Sequence, residues 1–385
     1  MNHIGIDISK YKHDCFIATE TSTKSFSFEN NQDGFSKLLK ELKKLSGEIK
    51  IGFEITGHYA ENLKAFLISH NLAFMEIHAY LVKKFVESQT LRKTKTDKKD
   101  AEMISNYLRS VDYKTYLQQS YHIKALKELT RLRSKLISER TKYLNLLTKT
   151  MDIVFPEYKG FWPNNTFSKT SLYILEKFTS PVRISKMNDR HFEILTKMSR
   201  SSLSYPKFMK LKGLAKNTVG VYQNYHKTSI SIYLNNIKII NNQVDSIETE
   251  IDQLMTSYPT KIMTIPGIGT ISAAVILAEY GSIHNFDNPA QMLSYAGLEP
   301  SITQSGTQTF SGRIVKRGSR MLRQTLVQAA FYMLRVNPKF YDYYLKKKNA
   351  GKHHQVALIH LTRKLIRIIF YLETNQQDFN YEQLK

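Results

Sequence analysis

The stretch HIGIDIS, residues 3–9, decides the fold of the front of this chain. Ile4, Ile6 and Ile8 fall on one side and Asp7 on the other, the two-residue period of a half-buried strand. IKIGFEIT, residues 49–56, repeats the pattern, with Ile49, Ile51, Phe53 and Ile55 on one side and Glu54 on the other. Between them CFIAT (15–19) and KSFSF (24–28) are short strand candidates joined by polar turns. ENLKAFLISH (61–70) predicts a helix and LAFMEI (72–77) a strand. DKKDAEMISNYLRS (97–110) predicts a helix, with Ala101, Ile104 and Leu108 at helical spacing. Strands in meander, then strands alternating with helices, predict a mixed sheet covered by helices over residues 1–110.

Beyond residue 120 the strand signal vanishes. Residues 122–150 carry Ile123, Leu126, Leu129, Leu132 and Leu136 among many basic residues. Residues 151–225 read as irregular, with breaks at FPEY, FWPNN and TSPV between short helical pieces. Then Ile230, Tyr233, Ile237, Ile240, Val244, Ile247, Ile251 and Leu254 step by three and four in turn, a coiled-coil spacing that ends before Pro259. An intrachain hairpin with residues 122–150 and an intermolecular coil both satisfy that stripe. A third block holds KIMTIPGIGTISAAVILAEYG (261–281), a basic lead into a helix at 312–334, and the amphipathic VALIHLTRKLIRIIFYL (356–372). The boundaries expected are 1–118, 119–258 and 259–385.

The chain has 385 residues, room for two or three domains of about 150 residues each. Hydrophobic residues are 42% and aromatics 11%, enough to fill real cores and to exclude a wholly disordered chain. A single cysteine, Cys15, excludes an internal disulfide and a cysteine-rich zinc module. No signal peptide or membrane span is visible, so a soluble, cytoplasmic protein is expected. Lys and Arg number 56 against 33 Asp and Glu, a formal charge of +23. Such an excess repels itself in a compact chain, and a nucleic acid neutralises it.

Asp7 and Glu54 occupy equivalent places on two strands. If the strands pair, the two carboxylates lie side by side. Burying such like charges costs on the order of several kcal/mol unless a cation compensates. Mg²⁺ suits, because it takes oxygen ligands from one or two carboxylates plus phosphate oxygens and water. Asp97 and Asp100, three apart, add two carboxylates on one face of a helix start, where they also suit the helix dipole. Four acids can hold two metals, the arrangement that clamps attacking and leaving oxygens in phosphoryl transfer. Lys83, Lys84, Arg92, Lys93, Lys95, Lys98 and Lys99 crowd the acid pair, as a phosphate backbone running over a metal site requires.

A second constellation is AGLEPSITQSGTQTFSGRIVKRGSRMLRQTL, in which Ser305 stands before Gly306 in a polar stretch without helix or strand pattern. Arg313, Lys316, Arg317, Arg320 and Arg323 follow with no acid between them. A serine attacking a phosphodiester needs an accessible oxygen and nearby cations. The same letters also suit an ordinary turn. IPGIG, residues 265–269, resembles the hairpin of helix–hairpin–helix modules, whose glycines let backbone N–H groups approach a phosphate.

Together these motifs resemble the insertion sequence 110 family of transposases, the DEDD-type recombinases guided by a bridge RNA. GIDISK, FEITGHY and TDKKDAEMI carry the likeness at the front and FPEY in the middle. IPGIGTISAAVILAE, YAGLEP, QSGT, IVKRGSRMLR and GKHHQVALIHLTRKLIR carry it at the back. The resemblance implies an α/β plus α architecture: a RuvC-like ribonuclease H fold, central coiled-coil helices and a helical C-terminal transposase domain. It implies Mg²⁺ on Asp7, Glu54, Asp97 and Asp100, and a nucleophile at Ser305 that links covalently to a DNA strand. Lys93, Lys95, Lys98, Arg313, Lys316, Arg317 and Arg320 are expected to bind nucleic acid. The implied partners are donor and target DNA, a non-coding bridge RNA, and further copies of the chain in a dimer or tetramer, in use at the nucleoid.

Two other readings fit the same residues. A metal-dependent nuclease of the Holliday-junction type would use the four acids and water, leaving no protein–DNA adduct. A non-catalytic nucleic-acid scaffold would need neither the acids nor the serine.

Overall fold

A computed structural model describes residues 1–55, 57–89, 96–113, 121–162, 165–305 and 308–380, with Tyr121, 302–305 and 308–311 described by backbone alone. The chain divides into two compact units, Met1–Gln118 and Gln119–Lys385. It is a mixed α/β protein, mostly helical.

In the first unit the alternating apolar residues build a five-stranded sheet. β1 (Asn2–Ile8), β2 (Lys12–Ala18) and β3 (Thr23–Glu29) form an antiparallel meander. Helix α1 (Gln32–Leu42) leads to β4 (Ile49–Glu54), parallel to β1. Helix α2 (Glu61–Ser69) leads to β5 (Phe74–Ile77), parallel to β4. Helices α3 (Ala79–Gln89) and α4 (Asp97–Ser110) follow. The sheet order is β3-β2-β1-β4-β5. Ile4, Ile6, Ile8, Ile51 and Phe53 share one core with Leu38, Leu63 and Leu67 of α1 and α2. Ile55, expected on that apolar side, is 44% exposed, because β4 has ended one residue earlier.

The opposite face of the sheet is covered by α4. Gly5 and Gly52 are registered neighbours on β1 and β4. A Cβ at Gly5 would lie 2.1 Å from the Ala101 carbonyl oxygen, and one at Gly52 2.7 Å from Leu108 Cδ2. Only glycine lets the helix lie this close. Ser105 Oγ donates to the His3 carbonyl at 2.9 Å and fixes the helix along the strand. Gly5→Ala should push α4 off the sheet, costing about 1–3 kcal/mol or more by overpacking. Its melting temperature checks this, with unchanged stability as the contrary result.

The second unit is built on a helix pair. α5 (Tyr121–Val154) and α11 (Asn224–Thr256) run antiparallel, as their contacts require. Arg133 Nη2 meets Glu248 Oε1 at 2.6 Å, and Arg140 Nη1 donates to Asn241 Oδ1 at 2.9 Å. The stripe of α11 is buried inside the chain, with Ile230, Leu234, Ile237, Ile240, Val244, Ile247, Ile251 and Met255 inward. One end of the pair enters a core with α6 (Glu157–Phe161), α7 (Lys169–Lys177), α8 (Pro181–Ser185), α9 (Asp189–Met198) and α10 (Tyr205–Lys216). The other end enters a core with α12 (Thr270–Tyr280) and α13 (Pro289–Tyr295). After α13 come β6 (Pro300–Ser305), β7 (Gln308–Ile314), α14 (Arg320–Val336), α15 (Pro338–Asn349) and α16 (His354–Asn375). Helices α14 to α16 complete that second core.

Two of the breaks read into residues 151–225, FPEY and TSPV, are helix starts, while FWPNN falls at the end of α6 and lies partly outside the described residues. Ser180 caps α8 with Pro181 at its first turn, and Ser204 precedes α10 with Pro206 in the same place. Proline lacks only an N–H that a first turn leaves unpaired anyway. The stretch around Ser305, expected to lack strand pattern, is an antiparallel ribbon, with Ser305 registered to Gln308. Backbone pairing makes this ribbon, and its mostly polar residues give no apolar alternation to read. Among the described residues no helix is long and apolar enough to cross a membrane.

Candidate active site

Sheet register and helix docking bring the predicted acids of the first unit together. Asp7 lies on the α4 side of β1. Ile6 pairs with Phe53, so one step further along the parallel register sets Glu54 beside Asp7. Thr96 caps α4, accepting from the Lys99 N–H at 3.4 Å, and its first turn carries Asp97 and Asp100. Asp100 precedes Ala101, whose carbonyl rests over Gly5, so the glycine contact carries the aspartate to the strand. Asp97 is exposed, while Asp7, Glu54 and Asp100 are half-buried.

The electrostatics follow from that convergence. The Asp7 carboxyl is raised to about 7, first by burial and then by the charges of Asp100, Asp97, Glu54 and Asp14. Desolvation and like charge both favour the protonated form. Among the described residues no three acidic, histidine or cysteine side chains are arranged to hold a metal ion as they stand. The carboxylates share a field and supply oxygen donors only, the donor set of a hard cation.

The raised value has a stability consequence. The folded group ionises at a higher pH than the unfolded one, so the unfolded chain releases this proton first. The penalty is absent below about pH 4, grows towards pH 7 and is complete above it. Asp7→Asn should therefore stabilise the metal-free first unit by about 1–3 kcal/mol at pH 8 and leave it unchanged at pH 4. Melting in chelator at the two pH values checks this. Equal effects at both would contradict it.

Asp14 was not anticipated. It pairs with Asp7 across the β1–β2 hairpin, on the same face. It is 2% exposed, accepts from Ser27 Oγ at 2.6 Å and meets Lys12 Nζ at 3.1 Å. Its charge is thus neutralised locally, unlike that of Asp7. The polar turn between CFIAT and the first strand held the signal, since counting back across the hairpin pairs residues 14 and 7.

In the second unit the serine ribbon is tied down at its base. Val315 N–H donates to the Glu299 carbonyl at 2.9 Å and Lys316 N–H to that of Gly297 at 3.1 Å. Gly297 and Gly318 hold φ of +67° and +95°, and a Cβ at either would strike the Arg317 or Tyr295 carbonyl. The glycines of YAGLEP and KRGS therefore clasp the ribbon to the end of α13 and the start of α14. Ser301 Oγ bridges the two strands by donating to the Arg313 carbonyl at 3.1 Å.

Lys316, Arg320 and Arg323 line a groove of about 690 Å³ between α14 and α16, floored by Val327, Phe331 and Ile359. Arg313 and Arg317 are exposed nearby in sequence but do not line it. Arg323, whose Nη1 also donates to the Ala296 carbonyl at 3.0 Å, is the basic residue that the binding prediction left out. Lys98 is exposed on the first turn of α4, whereas Lys93 and Lys95 lie outside the described residues. The IPGIG turn packs on α14, with Met333 3.3 Å from where a Cβ of Gly267 would be, while the space over Gly269 is open.

Two family models match the chain. One, described as a transposase of the DEDD type, spans residues 4–156, the unit with the acids and the whole of α5. The other, the transposase IS116/IS110/IS902 family, spans residues 260–345, including the serine ribbon. The chain belongs to the IS110 family of transposases. Among similar proteins is an insertion element IS116 protein of 44.8 kDa from Streptomyces clavuligerus, 23% identical over 98% of this chain and 95% of its own. The pilin gene-inverting protein of Moraxella bovis is 23% identical over 98% of this chain and 97% of its own. The transposase for insertion sequence element IS1111A of Coxiella burnetii is 31% identical, over 31% of this chain and 34% of its own. The likeness to the first two is spread over both units.

Proposed function

We propose that this transposase cuts and rejoins DNA strands through a serine ester, using Mg²⁺ on its acid face and a non-coding RNA from its own element as guide. The observation that carries the reading is the convergence of Asp100, Asp97 and Glu54 on Asp7, whose carboxyl they help raise to about 7. A nucleic-acid scaffold gains nothing from carboxylates that repel both each other and phosphate. The sheet order, with three antiparallel strands followed by two parallel ones, supports a RuvC-like ribonuclease H fold. A DNA-inverting protein among the full-length relatives supports rejoining rather than hydrolysis alone.

Asp7, Glu54, Asp97 and Asp100 would hold the Mg²⁺. When bound, it supplies charge stabilisation at a phosphate. Ser305 Oγ attacks the phosphorus and gives up its proton, and the 3′ oxygen leaves as a hydroxyl. The new phosphoserine ester conserves the energy of the broken bond, so a second 3′ hydroxyl can displace the serine without ATP. Lys316, Arg320 and Arg323 would hold the strand beside the ribbon by its phosphates.

Residues on the outward sides of the long helices support an oligomer. Tyr225, Ile232 and Ile239 on α11 recur every seven residues and are 66%, 51% and 55% exposed. Leu146 and Ile153 on α5 do the same at 40% and 54%. A second apolar stripe of this period suits a coiled coil with another copy. The guide is tested by supplying purified protein, Mg²⁺ and two DNA substrates with or without RNA transcribed from the non-coding flank. Recombination should require the RNA and follow its sequence. Efficient joining without it would remove the guide from the account.

A further inference from the structure

The motif RKLIR in α16 is used by neither the acids nor the serine, yet it lines a cavity of the second unit. That cavity, about 760 Å³, opens between α15, α16 and the segment that follows α16. His360, Arg363, Lys364 and Arg367 line it at the spacing of one helix face, together with Tyr343 and Tyr371. The opposite face of α16 is spent on the core, through Leu361, Leu365, Ile366 and Ile369. The basic face is therefore held rigidly. No acidic residue lines the cavity among the described residues.

Arg363 is the centre of this arrangement. Its Nη2 donates to the Leu298 carbonyl at 3.1 Å, one residue before the backbone that clasps the serine ribbon. Its Nε is buried with no hydrogen-bond partner among the described residues. Two arginines lining a cavity with no carboxylate among its described lining offer guanidinium donors to an anion. Burial first, and then Arg367, holds the Arg363 guanidinium below its ordinary value. His360 is likewise lowered, by burial and then by Arg363, Lys347 and Lys352. An anion in the cavity would oppose the part of each shift that comes from neighbouring cations.

The aromatic groups narrow the choice of anion. Tyr343 carries Lys364 at 5.0 Å and Lys347 at 5.4 Å from its ring centroid. Tyr371 is 46% exposed, with its hydroxyl donating to Gln377 Oε1 at 3.1 Å. A bare phosphate has no use for two rings. A base beside its phosphate uses both, as in single-strand binding by stacking platforms set in basic grooves. The cavity has the volume of a small-ligand site, about 300–1,000 Å³, and suits a nucleotide rather than a duplex.

We infer that the α15–α16 cavity binds one unpaired nucleotide of a single strand, its phosphate on Arg363 and Arg367 and its base against Tyr371 and Tyr343. The inference rests on the reading of this protein as a nucleic-acid enzyme, and it adds a single-strand subsite distinct from the acid face and from the groove of Lys316 and Arg320. Through Leu298, the occupied cavity would stiffen the base of the serine ribbon.

The test is binding of the full-length protein to short fluorescent oligonucleotides, read in chelator so that no chemistry occurs. Single-stranded RNA, single-stranded DNA and duplex DNA are compared for the natural protein, Tyr371→Ala and Arg367→Gln, each with an unchanged melting temperature. Tyr371→Ala alters no charge and should weaken single-strand binding about tenfold, within what one stacked base contributes. Duplex binding should stay within about twofold. Arg367→Gln should weaken the same strand and lower the salt slope by about one. Loss on RNA alone, on DNA alone or on both assigns the source of the strand. Equal losses on duplex and single strands, or a loss with Arg367→Gln but none with Tyr371→Ala, would overturn the inference. Because no cleavage is read, this site can fail while strand exchange stands, and the reverse.

Discussion

Ser305→Ala is expected to abolish strand exchange, by about a thousandfold or more, while DNA binding stays near its natural level. The expected loss is that large because the proposed mechanism makes this hydroxyl the bond-forming atom. Ser301 is the nearest alternative with a described side chain, but its Oγ is committed to the Arg313 carbonyl across the ribbon. Ser301→Ala should therefore keep activity within a few-fold and cost mainly the order of about one hydrogen bond in ribbon stability. Binding should persist in both variants, since the proposal puts the phosphate contacts on Lys316, Arg320 and Arg323, which line the groove, rather than on the serine. Recombination assayed by product length, with a parallel gel-shift, separates the two effects. A Ser305→Ala protein that still exchanges strands would leave the acids as a water-using nuclease.

Asp7→Ala is expected to remove both cutting and joining to a comparable degree, about a thousandfold, and for a different reason. Asp7 is the point on which three other predicted acids converge, and it is half-buried among them. In the proposed Mg²⁺ site, removing it would leave Glu54, Asp97 and Asp100 without the carboxylate that completes the oxygen set. Affinity for DNA should hold or rise, because a negative charge facing phosphate is deleted. Glu54→Gln should follow the same pattern more weakly. Activity measured against Mg²⁺ concentration checks the origin of the loss: natural protein should respond steeply and Asp7→Ala should not respond at all. Intact activity in both variants would favour the scaffold reading.

Much of the first unit could be read from its letters. HIGIDIS and IKIGFEIT showed two strands with a carboxylate opposite an apolar face, and the sheet places those faces accordingly. Period two carries that information because burial is one-sided. The depth of contact with α4 could not be read, since Gly5 and Gly52 look like weak strand residues until a helix is seen lying on them. Asp14 was missed for a related reason: its strand candidate began at Cys15, and hairpin register was not counted back to it.

The second unit was legible where packing is periodic. The α11 stripe from Ile230 onwards is buried as spaced, although Leu234 and Met255 take inward places expected of Tyr233 and Leu254. Straight α-helices drift from a strict seven-residue repeat, which shifts such choices by one. The serine ribbon was illegible because pairing of its own backbone, not burial, defines it. Residues 151–225 were legible in principle through their caps. Ser168, Ser180 and Asn188 each accept from a backbone N–H at a helix start, a local signal that hydropathy does not contain.

The central claim is that one serine of the second unit forms a bond to DNA that depends on acids of the first. The most direct measurement is to stop the reaction of protein, Mg²⁺, guide RNA and end-labelled DNA with denaturant, then digest and identify any nucleotide-bearing peptide by mass spectrometry. The account predicts a phosphodiester on the peptide containing Ser305, absent in Ser305→Ala and in Asp7→Ala. Cut DNA with free ends and no labelled peptide, or a label on another residue, would contradict it.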